Sequence, residues 1–144
     1  MSVMTTYRTR IRLSPERVVG GELDPTWALM QEALEATAQE FGGRLTDRVT
    51  DYYGREMRCD FALITPDFPR GIGLRVEPGG EVTFIYDHYG GYQRVASMLC
   101  ERITQNYTSL AVARALGEMN YSVEVEETRE GPEQARAVVV RGTL

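Results

Sequence analysis

Residues 6–13, TYRTRIRL, alternate: Tyr7, Thr9, Ile11 and Leu13 fall on one side and Arg8, Arg10 and Arg12 on the other. A period of two predicts a half-buried strand. Residues 14–23 carry Pro15 and Gly20-Gly21 and read as a loop. The period then changes. Asp24-Pro25 pairs an acidic N-cap with a proline at the first helical position, and Trp27, Met30, Leu34, Ala38 and Phe41 recur at helical spacing up to Gly42-Gly43. That pattern predicts a helix over 25–41.

Two hairpins follow. Residues 44–50 and 56–64 flank a turn at Tyr53-Gly54, with Met57, Cys59, Phe61 and Leu63 expected opposite Arg58, Asp60, Ala62 and Ile64. After a TPDFPRG loop, residues 71–77 and 81–87 flank Pro78-Gly79-Gly80. Residues 92–119 place Val95, Leu99, Ile103, Leu110 and Ala113 in one stripe and predict a helix about 40 Å long. Asn106 to Ser109 mark an expected bend, because Thr and Ser hydroxyls compete for helix carbonyls. Two last strands are expected at 121–128 and 134–141 around Gly131-Pro132, with Val123 and Val125 inward and Glu124 and Glu126 outward. The resulting order β-α-β-β-β-β-α-β-β has short strand connections. It predicts one α+β domain, a two-layer sandwich in which two helices cover one face of a mostly antiparallel sheet.

A chain of 144 residues buries enough surface for one core without disulfide or metal support. The net charge of −5 argues against a nucleic-acid backbone as partner. All 16 cationic residues are Arg. With no Lys there is no Schiff-base amine, P-loop lysine or Ser–Lys dyad. Cys59, Cys100 and His88 are three potential zinc ligands, one short of a closed site within the chain, so no metal and no cofactor are expected. Residues 1–12 alternate rather than forming an apolar run, and no window approaches the ~18 apolar residues of a membrane span. A cytoplasmic protein with buried, inert thiols and no membrane partner is the expectation.

The stretch Gly71-Ile72-Gly73, the helix segment Thr104-Gln105-Asn106-Tyr107 and the strand start Tyr121-Ser122-Val123 stand in an order that resembles one family. It is a domain-of-unknown-function family shared by cyanobacteria, algal plastids (as a conserved plastid open reading frame) and other bacteria. The opening TYRTRIRL is similar to it as well. The chain departs from the family at Asn106, where a basic residue is usual, and in a longer 14–24 link. The resemblance implies no established activity. It implies a small protein encoded in some genomes near an AAA+ type ATPase, hence an accessory subunit of a larger complex.

Four groups of residues are candidates for function. Arg8, Arg10, Arg12, Arg58, Asp60 and Arg75 are expected on the uncovered sheet face, as a solvated ion-pair surface or as a patch gripping carboxylates or phosphates. Tyr52, Tyr53, Tyr86, Tyr89 and Tyr92 gather near loops, and tyrosines supply stiff contact area. Thr104, Gln105 and Tyr107 share one helix turn, as core polar groups or as a contact surface. His88 sits in a strand-to-helix loop beside Asp87, but neighbouring strand residues point to opposite faces, so Asp87 is not expected to orient it. The leading reading is a non-catalytic binding or assembly module with a protein partner or self-association. The rivals are an enzyme using His88 with Asp87 or Asp60, and a small-anion sensor on the arginine face.

Overall fold

The computed structural model describes residues 1–119, 122–130 and 135–143, the last two stretches through their main chain. Its elements are β1 (Met4–Arg12), β2 (Val18–Val19), β3 (Glu22–Leu23), α1 (Pro25–Phe41), β4 (Arg44–Thr50), β5 (Glu56–Thr65), β6 (Phe68–Val76), β7 (Glu81–Asp87), α2 (Gln93–Glu118), β8 (Ser122–Glu130) and β9 (Ala135–Thr143). The main sheet has the order β1-β7-β6-β5-β4, with every neighbouring pair antiparallel. Both helices pack on one of its faces. There Trp27, Met30 and Leu34 of α1 and Leu99, Cys100 and Ile103 of α2 meet Phe61, Leu63, Ile72, Leu74, Val82, Phe84 and Tyr86. The α+β sandwich expected from the periodicity is the fold of the chain.

Helix α1 starts and stops where its sequence dictates. Asp24 caps it, its Oδ1 accepting from Thr26 N at 2.8 Å, and Gly42 closes it at φ 66°. The helices are joined by a buried polar relay. Asn106 Nδ2 donates to Thr37 Oγ1, which donates to Ala33 O, each at 2.8 Å. A polar residue in the apolar stripe of α2 therefore satisfies a polar residue in that of α1.

Three local expectations are corrected. Segment 14–23 is not all loop, because β2 and β3 pair around Gly20 (φ 62°) and Gly21 (φ 82°). Two consecutive left-handed residues make the tight hairpin turn, and two-residue strands are too short to leave a hydrophobic period. The TPDFPRG segment is mostly strand: Thr65 pairs with Phe68 across Pro66-Asp67, and Phe68 N donates to Thr65 Oγ1 at 3.1 Å. Helix α2 runs unbroken through 106–109, with Thr104 Oγ1 donating back to Cys100 O at 2.9 Å. Its buried positions end at Asn106. The helix also contacts β8 and β9. Those strands pair with each other as a separate two-stranded sheet, with Glu124 in register with Arg141. Glu124 and Glu126 thus belong to a different sheet from the arginines; the structure describes 123–126 through their main chain alone, and the expected Gly131-Pro132 turn lies outside the described residues.

The face away from the helices is not flat. Val49, Cys59, Ala62 and Ile85 form a second buried cluster there, with Met57 against it. No described element roofs this face. The sheet curls instead, and Gly71 and Gly73 allow it. A Cβ at Gly71 would collide with Ile64 Cδ1 and lie 3.2 Å from Val49 Cγ1, a residue two strands away. One at Gly73 would lie 2.5 Å from Cys59 Sγ. A bulge adds to the curl. Thr46 pairs with Ala62 but Arg48 with Arg58, so β5 spends four residues where β4 spends two. The expected alternation breaks there: Met57 and Cys59 join the cluster on the curled face, while Phe61 and Leu63 face the helices.

Candidate functional site

Of the six residues expected on one arginine face, Arg58, Asp60 and Arg75 line one hollow and Arg8 lines another. Arg8 and Arg75 both stand in register with Thr83, one on each side of it, and share the curled face. Arg12 stands opposite Glu81 and pairs with it at 3.3 Å. Arg58, next to the bulge, stands opposite Arg48, and Asp47 bridges the two guanidinium groups at 3.5 and 3.6 Å. Arg58 nevertheless lines one open hollow of about 390 Å³ with Cys59, Asp60 and Arg75. Asp60 is half-buried, its Oδ2 accepting from Val76 N at 2.8 Å. Arg8, Arg10 and Arg75 have no ion pair among the described residues. Beside Arg8 lies an open hollow of about 410 Å³, lined by Thr6, Thr9, Thr83, Glu77 and Glu81. Of its two carboxylates, Glu81 pairs with Arg12 and Glu77 accepts from Thr83 Oγ1 at 3.0 Å.

The tyrosines do converge. Tyr52 and Tyr53, from the β4–β5 turn, meet Tyr89, from the loop after β7: Tyr52 lies edge-on to Tyr89 at 4.7 Å and to Tyr53 at 5.2 Å. All three are exposed, at 47%, 63% and 36%. Tyr92 is half-buried behind them, tilted against Phe68 at 5.3 Å. Tyr86 belongs to the core. Val3 and Met4, also exposed, extend the apolar surface from the start of β1.

Asp87 holds this end together. It has no exposed surface. Its Oδ1 accepts from Val3 N at 2.9 Å and Tyr89 N at 3.1 Å, and its Oδ2 from Ser2 Oγ at 2.5 Å and Tyr52 N at 2.8 Å. One carboxylate therefore fastens the N-terminal segment, the β4–β5 turn and the loop after β7. Burial by itself would raise its pKa. The hydrogen bonds donated by Ser2, Val3, Tyr52 and Tyr89 outweigh burial and hold the carboxyl well below the ordinary range. Arg70 completes the assembly. Its guanidinium lies between the rings of Tyr52 (5.4 Å) and Tyr92 (5.0 Å), donates to Tyr89 O at 2.6 Å and Asp87 O at 3.3 Å, and stands 3.7 Å from the Asp87 carboxylate. The β4–β5 turn is rigid in its own right, since Asp51 Oδ1 accepts from Tyr53 N and Arg55 N, each at 2.9 Å. The exposed rings thus stand on a backbone whose donors are satisfied.

Neither Asp87 nor Arg70 is singled out by sequence as part of this site. The available signal is a carboxylate closing the apolar strand EVTFIYD, which must find several donors if the strand end is buried. His88, by contrast, has no side-chain hydrogen bond or ion pair to a carboxylate among the described residues. It is half-buried, its ring lies 6.2 Å from Tyr86, and no hydrogen bond joins it to Asp87 among the described residues. In the helix motif, Thr104 bonds its own helix and Tyr107 packs against the core, where burial pushes its hydroxyl up. Gln105 Oε1 is buried with no hydrogen-bond partner among the described residues. Burial also raises the Cys59 and Cys100 thiols, which keeps both protonated and unreactive at neutral pH. Among the described residues no group of three His, Cys, Asp or Glu could hold a metal ion, and no helix is long and apolar enough to cross a membrane. No protein-family model, curated protein or solved structure matches the chain.

Proposed function

We propose that the chain is a non-catalytic protein-binding module that docks a separate partner protein on the Tyr52–Tyr53–Tyr89 end. The observation that carries this reading is the convergence of three exposed tyrosines, from two distant loops, on a backbone fastened by a buried carboxylate. Rigid aromatic side chains bury large area at small entropic cost, and Tyr is enriched among the residues that dominate binding energy. The hydroxyl-tipped surface fits a partner that comes and goes better than an obligate subunit, whose interfaces are more apolar. An accessory role in a larger assembly, including an ATPase-associated one, agrees with the family resemblance.

The test compares wild type with Tyr52→Ser/Tyr53→Ser. Each is used to capture partners from source-cell extract, and any stoichiometric partner is then purified and titrated. Binding is expected to weaken about 10- to 100-fold, as for loss of two interface anchors of roughly 1 kcal/mol or more each. Melting temperature is expected to stay nearly unchanged, because the lost rings are exposed. Equal affinity for both proteins, or the lack of any stoichiometric partner, would count against the reading.

A second reading takes the curled face as a small-anion site, on the ground that Arg8 and Arg75 flank Thr83 with no ion pair among the described residues. Glu77 and Glu81 in the same hollow oppose it. Phosphate and nucleotides are therefore expected to leave the melting temperature unmoved. A saturable rise that Arg75→Gln abolishes would favour the anion site, since a ligand that binds only the folded state stabilises it.

A further inference from the structure

Strand β1 is an edge of the main sheet, and β7 is its only strand neighbour among the described residues. Its first half is regular: Met4 to Arg8 pair in step with Asp87 to Thr83. His88 N donates to Val3 O at 3.1 Å, which fixes the alternation. Val3, Thr5 and Tyr7 turn their main-chain groups toward β7, and Met4, Thr6 and Arg8 turn theirs toward the open side. The second half is blunted. Past Arg8 the ladder shifts, with Thr9 Oγ1 donating to Val82 O and accepting from Ile11 N, and Arg10 and Arg12 add two charges. Irregular pairing and charge are the usual devices that keep an edge from joining another strand. The stretch from Met4 to Arg8 has no shift and one charge, so it is left open.

Met4, Thr6 and Arg8 are exposed and share the curled face, while Tyr7 packs on the helix side. At one end of the stretch Met4, with Val49 and Met57, lines a hollow of about 300 Å³ whose wall also carries Asp51, Glu56 and Arg55, two carboxylates against one guanidinium. Asp51 answers Arg55 at 2.7 Å. Glu56, though paired with Arg48 at 3.0 Å, keeps an exposed side chain. At the other end stands Arg8, which has no ion pair among the described residues. An apolar, acidic end and a basic end on one strand make this edge complementary to itself when it is turned about a two-fold axis.

We infer that two copies of this chain pair edge to edge through Met4–Arg8 of β1, antiparallel and centred on Thr6. This register sets Thr6 opposite Thr6 of the second copy, and Met4 of each copy opposite Arg8 of the other. The facing pairs exchange about six main-chain hydrogen bonds and join the two five-stranded sheets into one. Each Arg8 arrives beside the other copy's Met4, at the hollow whose wall holds Glu56. Centring on Arg8 instead would run into the shifted part of the ladder and set Arg8 against Arg8, and like charges directly opposite are destabilising. The dimer is isologous and closes, so neither copy keeps the open edge. Tyr52, Tyr53 and Tyr89 lie outside the paired stretch, so this dimer and the docking of a partner on the tyrosine end stand or fall separately.

Light scattering on the full chain across micromolar concentrations is expected to give twice the single-chain mass, for wild type and for Tyr52→Ser/Tyr53→Ser alike. Thr6→Pro removes a donor that faces the open side and none that serves β7, and is expected to weaken dimerisation about tenfold or more. Thr6→Cys keeps the test valid should proline disturb the strand, because residue 6 is exposed and lies on the two-fold axis. Under mild oxidation it is expected to cross-link to itself, while Arg10→Cys, exposed on the same strand but off the axis, gives much less. Cys59 and Cys100 are buried and do not compete. A monomeric wild type, a dimer that withstands Thr6→Pro, or equal cross-linking of Thr6→Cys and Arg10→Cys would each overturn the inference.

Discussion

Asp87→Asn is expected to destabilise the protein by about 3–5 kcal/mol, lowering the melting temperature by roughly 10–15 °C. The geometry makes the amide a poor substitute. Two donors converge on each carboxylate oxygen, Val3 N and Tyr89 N on one, Ser2 Oγ and Tyr52 N on the other. Whichever oxygen becomes an NH₂ group, two donors face a donor. Only the Ser2 hydroxyl can turn to accept; a main-chain N–H is left unsatisfied, and Arg70 loses the charge beside it. The effect depends on pH. The Asp87 carboxyl is held below its unfolded value, so its contribution is complete above about pH 5 and fades as pH falls through the acid range. Calorimetry is therefore expected to show the largest gap between wild type and Asp87→Asn at neutral pH and a shrinking one in acid. Equal melting temperatures at neutral pH would show that the carboxylate is not the fastening.

Gly71→Ala carries the second large cost, roughly 2–4 kcal/mol in urea denaturation, because left-handed strain and overpacking add. Residue 71 sits at φ 91°, which an L side chain rarely adopts. A methyl there also collides with Ile64 and crowds Val49 and the Leu63 carbonyl oxygen, 3.3 Å away. Gly42→Ala is the control. It also has a positive φ, 66°, yet nothing lies within 4 Å of an added Cβ. Its expected cost is about 1–2 kcal/mol, from backbone strain alone. The difference between the two measures how tightly the sheet closes on its curled face. Equal costs would mean that the face is looser than described.

The comparison of these glycines shows what a sequence reveals and what it hides. Helix α1 is legible because Asp24, Pro25 and Gly42 act on their own neighbours. The hairpins β4–β5 and β6–β7 are legible for the same reason, through Gly54 and Pro78-Gly79-Gly80. The bulge at Cys59–Phe61 is not. Met57, Cys59, Phe61 and Leu63 alternate perfectly as letters, and only cross-strand pairing shows that the first two face away from the last two. That one irregularity separates Met57 and Cys59 from Phe61 and Leu63, while Arg58, Asp60 and Arg75 still line one hollow. The tyrosine end lies between these cases. Its residues are visible as loop aromatics. Their meeting depends on the curl of the sheet, and on Asp87 reaching Tyr52 across 35 positions and Ser2 across 85. Arg70 gives no signal of its own, since its role exists only once Tyr52, Tyr89 and Tyr92 surround it.

The placement of β1 bears on how the chain is made. Its partner β7 begins at Glu81 and ends at Asp87, so β1 is made well before the strand it pairs with. At about 5–20 residues per second, β1 waits roughly 4–16 seconds for that partner. An unpaired strand with Tyr7, Ile11 and Leu13 would be prone to clump on a crowded polysome. A charge at every second residue, costly to bury unpaired and mutually repulsive between neighbouring nascent chains, keeps it dispersed until Asp87 arrives.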